Sequence, residues 1–84
     1  MMEKENRVKA LTVKVQACER RARFYAGRYH DMRDYVKAAK VLNRVELARA
    51  YSLEAWRARQ CLDYARNDRR AALAELEAAR NEQN

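Results

Sequence analysis

Proline is absent from this 84-residue chain, isoleucine is absent, and glycine and histidine occur once each. Without Gly and Pro there is almost nothing to build turns, bulges or hairpins, which excludes most all-β and α/β architectures. One glycine also excludes a glycine-rich phosphate loop. The single histidine, His30, has no Ser, Cys or paired acid at a spacing that suggests a base with its orienting group. Cys18 and Cys61 together with that one His cannot complete a four-ligand metal site. Pairs such as Asp31 with Asp34, or Glu75 with Glu77, read as helix-start and solvated-face residues. The expectation is therefore a protein that is not an enzyme and needs no cofactor, metal or small-molecule substrate.

Long apolar runs are also lacking. None exceeds four residues, far short of the ~20 that span a bilayer, and no basic, apolar and small-residue leader precedes the body of the chain. These absences point to a cytoplasmic protein with no membrane role, in which Cys18 and Cys61 stay reduced.

What the chain has is alanine, arginine and period. Hydrophobic residues make up 49% of it, but 16 of them are Ala, so the supply of large apolar side chains is modest. From Val8 the positions Val8, Leu11, Val15, Cys18, Ala22, Tyr25, Tyr29, Met32, Val36 and Ala39 follow an unbroken 3-4-3-4 spacing. A second run repeats it through Ala48, Tyr51, Ala55, Ala58, Leu62, Ala65, Arg69, Ala72, Leu76 and Ala79, with Arg69 its one polar member. Two stripes of this kind define two amphipathic helices.

Between the stripes, Asn43 followed three residues later by Glu46 has the form of a capping box that opens the second helix. A fold-back at this point sets opposite each other residues whose numbers add to 87. Val8 then faces Ala79, Val15 faces Ala72, Tyr29 faces Ala58 and Met32 faces Ala55, while Leu11 faces Leu76, Tyr25 faces Leu62 and Val36 faces Tyr51. Large residues mostly meet small ones, which lets two helix backbones approach closely. The reading is an all-α single domain over 1–84: a helix at about 4–40, a turn at 41–44, a helix at about 44–82 and a fraying Glu-rich tail from Glu75 to Asn84. The alternative is three helices with a break near Gly27, where Asp31 and Asp34 could cap a new helix.

A two-helix coiled coil of this size has a small core. The hairpin also leaves Phe24, Leu53, Trp56, Tyr64 and Leu73 off its seam, so it is expected to self-associate, as a homodimeric four-helix bundle, or to dock on another protein. The charge supports a second kind of contact. There are 19 Lys and Arg against 12 Asp and Glu, a net of +7, and 14 of the cations are Arg. Folding at Asn43 brings Arg20, Arg21 and Arg23 to the height of Arg66, Arg69 and Arg70, with Arg28 and Arg33 set near Arg57 and Arg59 toward the bend. These arginines and the aromatic residues beside them suit hot spots for a larger acidic protein, in the manner of an adaptor, chaperone or inhibitor. The alternative partner is nucleic acid, with guanidinium groups on phosphates and aromatic faces on bases.

Overall fold

The structure, a computed structural model, describes residues 2–82. It consists of α1 (Met2–Val41) and α2 (Val45–Arg80), folded back on each other as an antiparallel hairpin. The rod measures 65 × 13 × 12 Å, which is what ~40 residues at ~1.5 Å each require of a straight helix. The helix α1 passes through Gly27 without a break, so the three-helix alternative does not form. Gly27 lies on the outer side, where an added Cβ would meet nothing within 4 Å. Its propensity penalty of about 1 kcal/mol is too small to interrupt a continuous seam. Asp31 and Asp34 are exposed residues inside the helix.

Every buried residue lies on one of the two stripes: Leu11, Val15, Cys18, Met32 and Ala39 from α1, and Ala48, Ala55, Ala58, Leu62, Ala65, Ala72, Leu76 and Ala79 from α2. Seven of these thirteen are Ala. Small side chains on α2 admit the half-buried Tyr25 and Tyr29 of α1, which is how an Ala-rich seam still excludes water. Leu11, Val15, Ala72, Leu76 and Ala79 form the best packed cluster, with Val8 and Leu73 against it. Contacts across the seam keep the expected register. Lys4 reaches Glu82, Glu19 pairs with Arg69, Arg21 with Asp68, and the Tyr35 ring meets that of Tyr51 at a tilt, each pair adding to within two of 87.

With Val8 and Ala48 at heptad position a, the two flanks of the seam are the g and e positions of both helices. The g flank sets Arg7, Lys14, Arg21 and Arg28 of α1 beside Glu54, Asp68, Glu75 and Glu82 of α2. Three ion pairs form there: Arg7 with Glu82, Arg21 with Asp68 and Arg28 with Glu54. Each is exposed, so solvent screens it and its contribution to stability is small. Their opposite signs on the two helices add attraction along this flank of the fold-back.

The bend corrects the capping-box reading. Asn43 has φ 55°, in the left-handed region, and it terminates α1 rather than opening α2. The Arg44 N–H donates to the Ala39 carbonyl at 2.8 Å and the Asn43 N–H to the Lys40 carbonyl at 3.1 Å. This double closure is the Schellman arrangement, and Asn tolerates the left-handed residue it needs. Arg44 becomes the N-cap of α2 and its side chain makes no capping bond. At the other end α2 stays helical to Arg80, and Glu82 is tied back to Lys4 and Arg7. Of the tail expected to fray, Gln83 and Asn84 lie outside the described residues.

Candidate interaction faces

A two-helix rod has two broad faces. One carries the c and g positions of both helices, the other the b and e positions. Phe24 and Tyr64 fall on the c/g face at the same height, 63% and 68% exposed, with Arg21, Arg28 and Arg57 around them. Trp56, 58% exposed, falls on the opposite b/e face with Arg23, Arg59, Arg66 and Arg70. Leu53 and Arg20 stand on the outermost f positions. The structure therefore splits the aromatic group in two: Phe24 with Tyr64 on one face, Trp56 on the other. The arginine belt encircles the rod instead of lining one side.

Much of that belt is already paired. Asp68 accepts from Arg21 at 3.3 Å, Glu19 lies 3.7 Å from Arg69, and Asp63 accepts from Arg59 at 3.3 Å. Glu54 bridges both Arg28 and Arg57, at 3.3 and 3.0 Å. Arg21 also donates to the buried Cys18 sulfur at 3.2 Å, and this bond, more than Asp68, holds its pKa above the ordinary arginine value. The arginine beside Cys18 is thus Arg21, while Arg69 leans out to Glu19. Among the described residues, Arg20, Arg23, Arg66 and Arg70 have no carboxylate within 4.0 Å.

The net charge sits almost wholly on one face. The b/e positions hold Lys9, Arg23, Arg33, Lys37, Lys40, Arg49, Arg59, Arg66, Arg70 and Arg80, against Glu5, Glu19, Asp63 and Glu77. The c/g positions hold Arg7, Lys14, Arg21, Arg28 and Arg57, against Glu3, Asp31, Glu54, Asp68, Glu75 and Glu82. The first face is strongly cationic and the second nearly neutral.

On the half of the b/e face nearer the bend, two contiguous depressions form a groove. One is lined by Tyr29, Arg33, Val36, Lys37, Lys40, Ser52, Ala55, Trp56 and Arg59. The next takes in Lys40, Asn43, Arg44, Val45, Ala48, Arg49 and Ser52. No carboxylate lines either one. Arg33 and Arg59 approach the Tyr29 ring from different helices, their guanidinium carbons 5.7 and 5.8 Å from its centroid. Lys37, Lys40, Arg44 and Arg49 were not singled out from the sequence, because height along the rod does not show which side of it a residue occupies. The signal was present in the e and b positions of residues 33–59, which carry no acid.

Other chemistry has little footing. Among the described residues no group of three or more His, Cys, Asp or Glu could hold a metal ion. His30 is exposed, its ring 5.8 Å from that of Tyr29. Cys18 is buried and Cys61 half-buried, both as free thiols. No described helix is long and apolar enough to cross a membrane. No protein family, curated protein or solved structure matches the chain.

Proposed function

We propose that this chain is a non-enzymatic interaction module of the cytoplasm, in which two hairpins pair through their c/g faces as a four-helix bundle and present their cationic faces to a larger acidic protein. The observation that carries the reading is a mismatch between inside and outside. Among the described residues five large apolar side chains are buried (Leu11, Val15, Met32, Leu62 and Leu76), whereas eleven are exposed. A hairpin so built gains stability by covering its outer apolar residues.

Phe24 and Tyr64 supply the anchor, since they share a height and a face. The other c positions of that face are mostly Ala (Ala10, Ala17, Ala38, Ala50, Ala71 and Ala78), which permits close approach of a second pair of helices. Near-neutral charge removes the repulsion that two cationic faces would suffer. The unpaired Arg23, Arg66 and Arg70 remain outside the bundle, available to carboxylates of a partner.

Sedimentation velocity and chemical cross-linking from nanomolar to micromolar concentration test the reading. A dimer is expected, with Phe24→Ala and Tyr64→Ala each weakening it by more than about 1 kcal/mol at unchanged helix content. A stable, fully helical monomer at micromolar concentration overturns self-association.

A further inference from the structure

We propose that the groove on the bend half of the b/e face is a binding site for single-stranded nucleic acid, with its cations on successive phosphates and Trp56 stacked on an unpaired base. The site is distinct from the Phe24 and Tyr64 face and does not depend on pairing of the hairpins.

Three observations converge on a polyanion. Arg33 comes from α1 and Arg59 from α2, yet both close on one Tyr29 ring. The Tyr29 ring offsets only part of the repulsion between these two like charges, and an anion between them removes more of it. Lys37, Lys40, Arg44 and Arg49 continue the charge to the bend, and no carboxylate lines the groove to neutralise it. Asp63, one turn beyond the groove, pairs with Arg59 at 3.3 Å and offsets part of its charge, whereas among the described residues Arg33, Lys37, Lys40, Arg44 and Arg49 have no carboxylate within 4.0 Å. Elsewhere on this face acids are interspersed with the cations at the b and e positions (Glu5, Glu19, Asp63 and Glu77), whereas between residues 33 and 59 those positions carry none.

The form of the groove selects the kind of polyanion. From Arg33 to the bend it runs for about 15 Å at the helical rise, long enough for several phosphates and too long for a single small anion. Trp56 lines it while keeping 58% of its surface exposed. An exposed indole beside guanidinium groups offers a platform for a base freed from pairing, which a duplex does not present and an acidic peptide lacks. Ser52, between the two depressions, adds a neutral hydroxyl for a phosphate oxygen.

Trp56 is the chain's one tryptophan, so its fluorescence reports on the site. The experiment titrates the full-length protein with fluorescein-labelled oligothymidylate, a blunt duplex of equal length and poly-L-glutamate, over a range of salt. Oligothymidylate is expected to bind most tightly and to quench Trp56. Its affinity should fall with salt at a log–log slope of about −3 to −4, as four to six neutralised phosphates require. Replacing Arg33→Gln and Arg59→Gln together should weaken binding at least about tenfold and flatten the slope by about 0.7 for each charge removed. Arg21→Gln, on the other face, should leave it unchanged. If circular dichroism shows that the double variant loses helix, Lys37→Gln with Lys40→Gln takes its place. Trp56→Ala should cost about tenfold and Trp56→Phe much less. Equal or tighter binding of poly-L-glutamate or duplex overturns the proposal. So does binding without quenching, or equal losses from Arg21→Gln and the groove variants. Repeating the titration with Phe24→Ala separates this site from hairpin pairing, since a monomer keeps the whole groove.

Discussion

Arg59 of α2 lies over the ring of Tyr29 of α1, its guanidinium carbon 5.8 Å from the ring centroid. This contact joins the helices at a height where the e flank has no ion pair across the seam, and Arg33 approaches the same ring at 5.7 Å. A tyrosine on the seam thus substitutes for a missing carboxylate. Its ring holds two guanidinium groups, one of which, Arg59, also pairs with Asp63 on its own helix. Tyr29→Leu should destabilise the hairpin by about 1 to 2 kcal/mol through loss of both contacts and some packing. Tyr29→Phe, which keeps the ring and loses only a 3.5 Å hydrogen bond from Arg33, should cost less than about 0.5 kcal/mol. Urea unfolding of the two variants side by side makes the comparison.

Gly27 is a helical residue with open space where a side chain would go. Gly27→Ala should therefore raise stability by about 0.5 to 1 kcal/mol, because it removes backbone freedom from the unfolded chain without a clash. A thermal melt that moves down instead of up would mean that the glycine is needed for a break or a close contact.

Asn43 at φ 55° closes α1, and its replacement separates backbone conformation from capping by the side chain. Asn43→Gly should be neutral or slightly stabilising, whereas Asn43→Val, β-branched in a left-handed position, should cost about 1 to 2 kcal/mol. If the residue acted as an N-cap of α2, Asn43→Asp would be the tolerated change and Gly the poorer one.

Ala65 is 1% exposed in the middle of the seam. Ala65→Leu should overpack it and destabilise by about 1 to 3 kcal/mol, although Leu is larger, more apolar and nearly as good a helix former. The same change at the exposed Ala74, on an outermost f position, should be close to neutral, so the pair tests whether alanine in this chain is a spacing device.

Glu82 holds the open end of the rod through Arg7, with Lys4 adding attraction, and its pKa is lowered chiefly by the hydrogen bond from Arg7. A carboxyl group depressed in the folded state binds more protons when unfolded, so its contribution is present above the ordinary glutamate range and lost as pH falls through the depressed value. Amide exchange in the first and last turns of the rod should accelerate relative to the seam centre over that acid window. Glu82→Gln should remove the difference.

Legibility differed by level. The unbroken phase from Val8 to Ala39 was enough to carry α1 through Gly27, because a seam of ten positions outweighs one poor helix former. The stripe beginning at Ala48 located the fold-back and its register. The bend itself was misread: Asn at a helix junction serves equally as an N-cap or as a left-handed C-terminal residue, and only the backbone hydrogen bonds from Asn43 and Arg44 distinguish the two. The candidate site was legible as heights but not as faces. Trp56, Phe24 and Tyr64 are outward residues by spacing, yet about half a turn around the rod separates the first from the others. Lys37, Lys40, Arg44 and Arg49 pass unnoticed along the chain, since a cation counts as part of a groove only once both walls are in place.

The sequence by itself determined that the chain is two long helices with an alanine-spaced seam, because a 3-4-3-4 period and the near absence of Gly and Pro act locally, through propensity and burial. Tertiary structure alone decided where the +7 charge acts. Ion pairing along the g flank and the c/g face leaves that side nearly neutral, and the surplus falls to the opposite face beside Trp56. Which charges neutralise one another depends on distances of a few ångströms between residues far apart in the chain, and folding sets those distances.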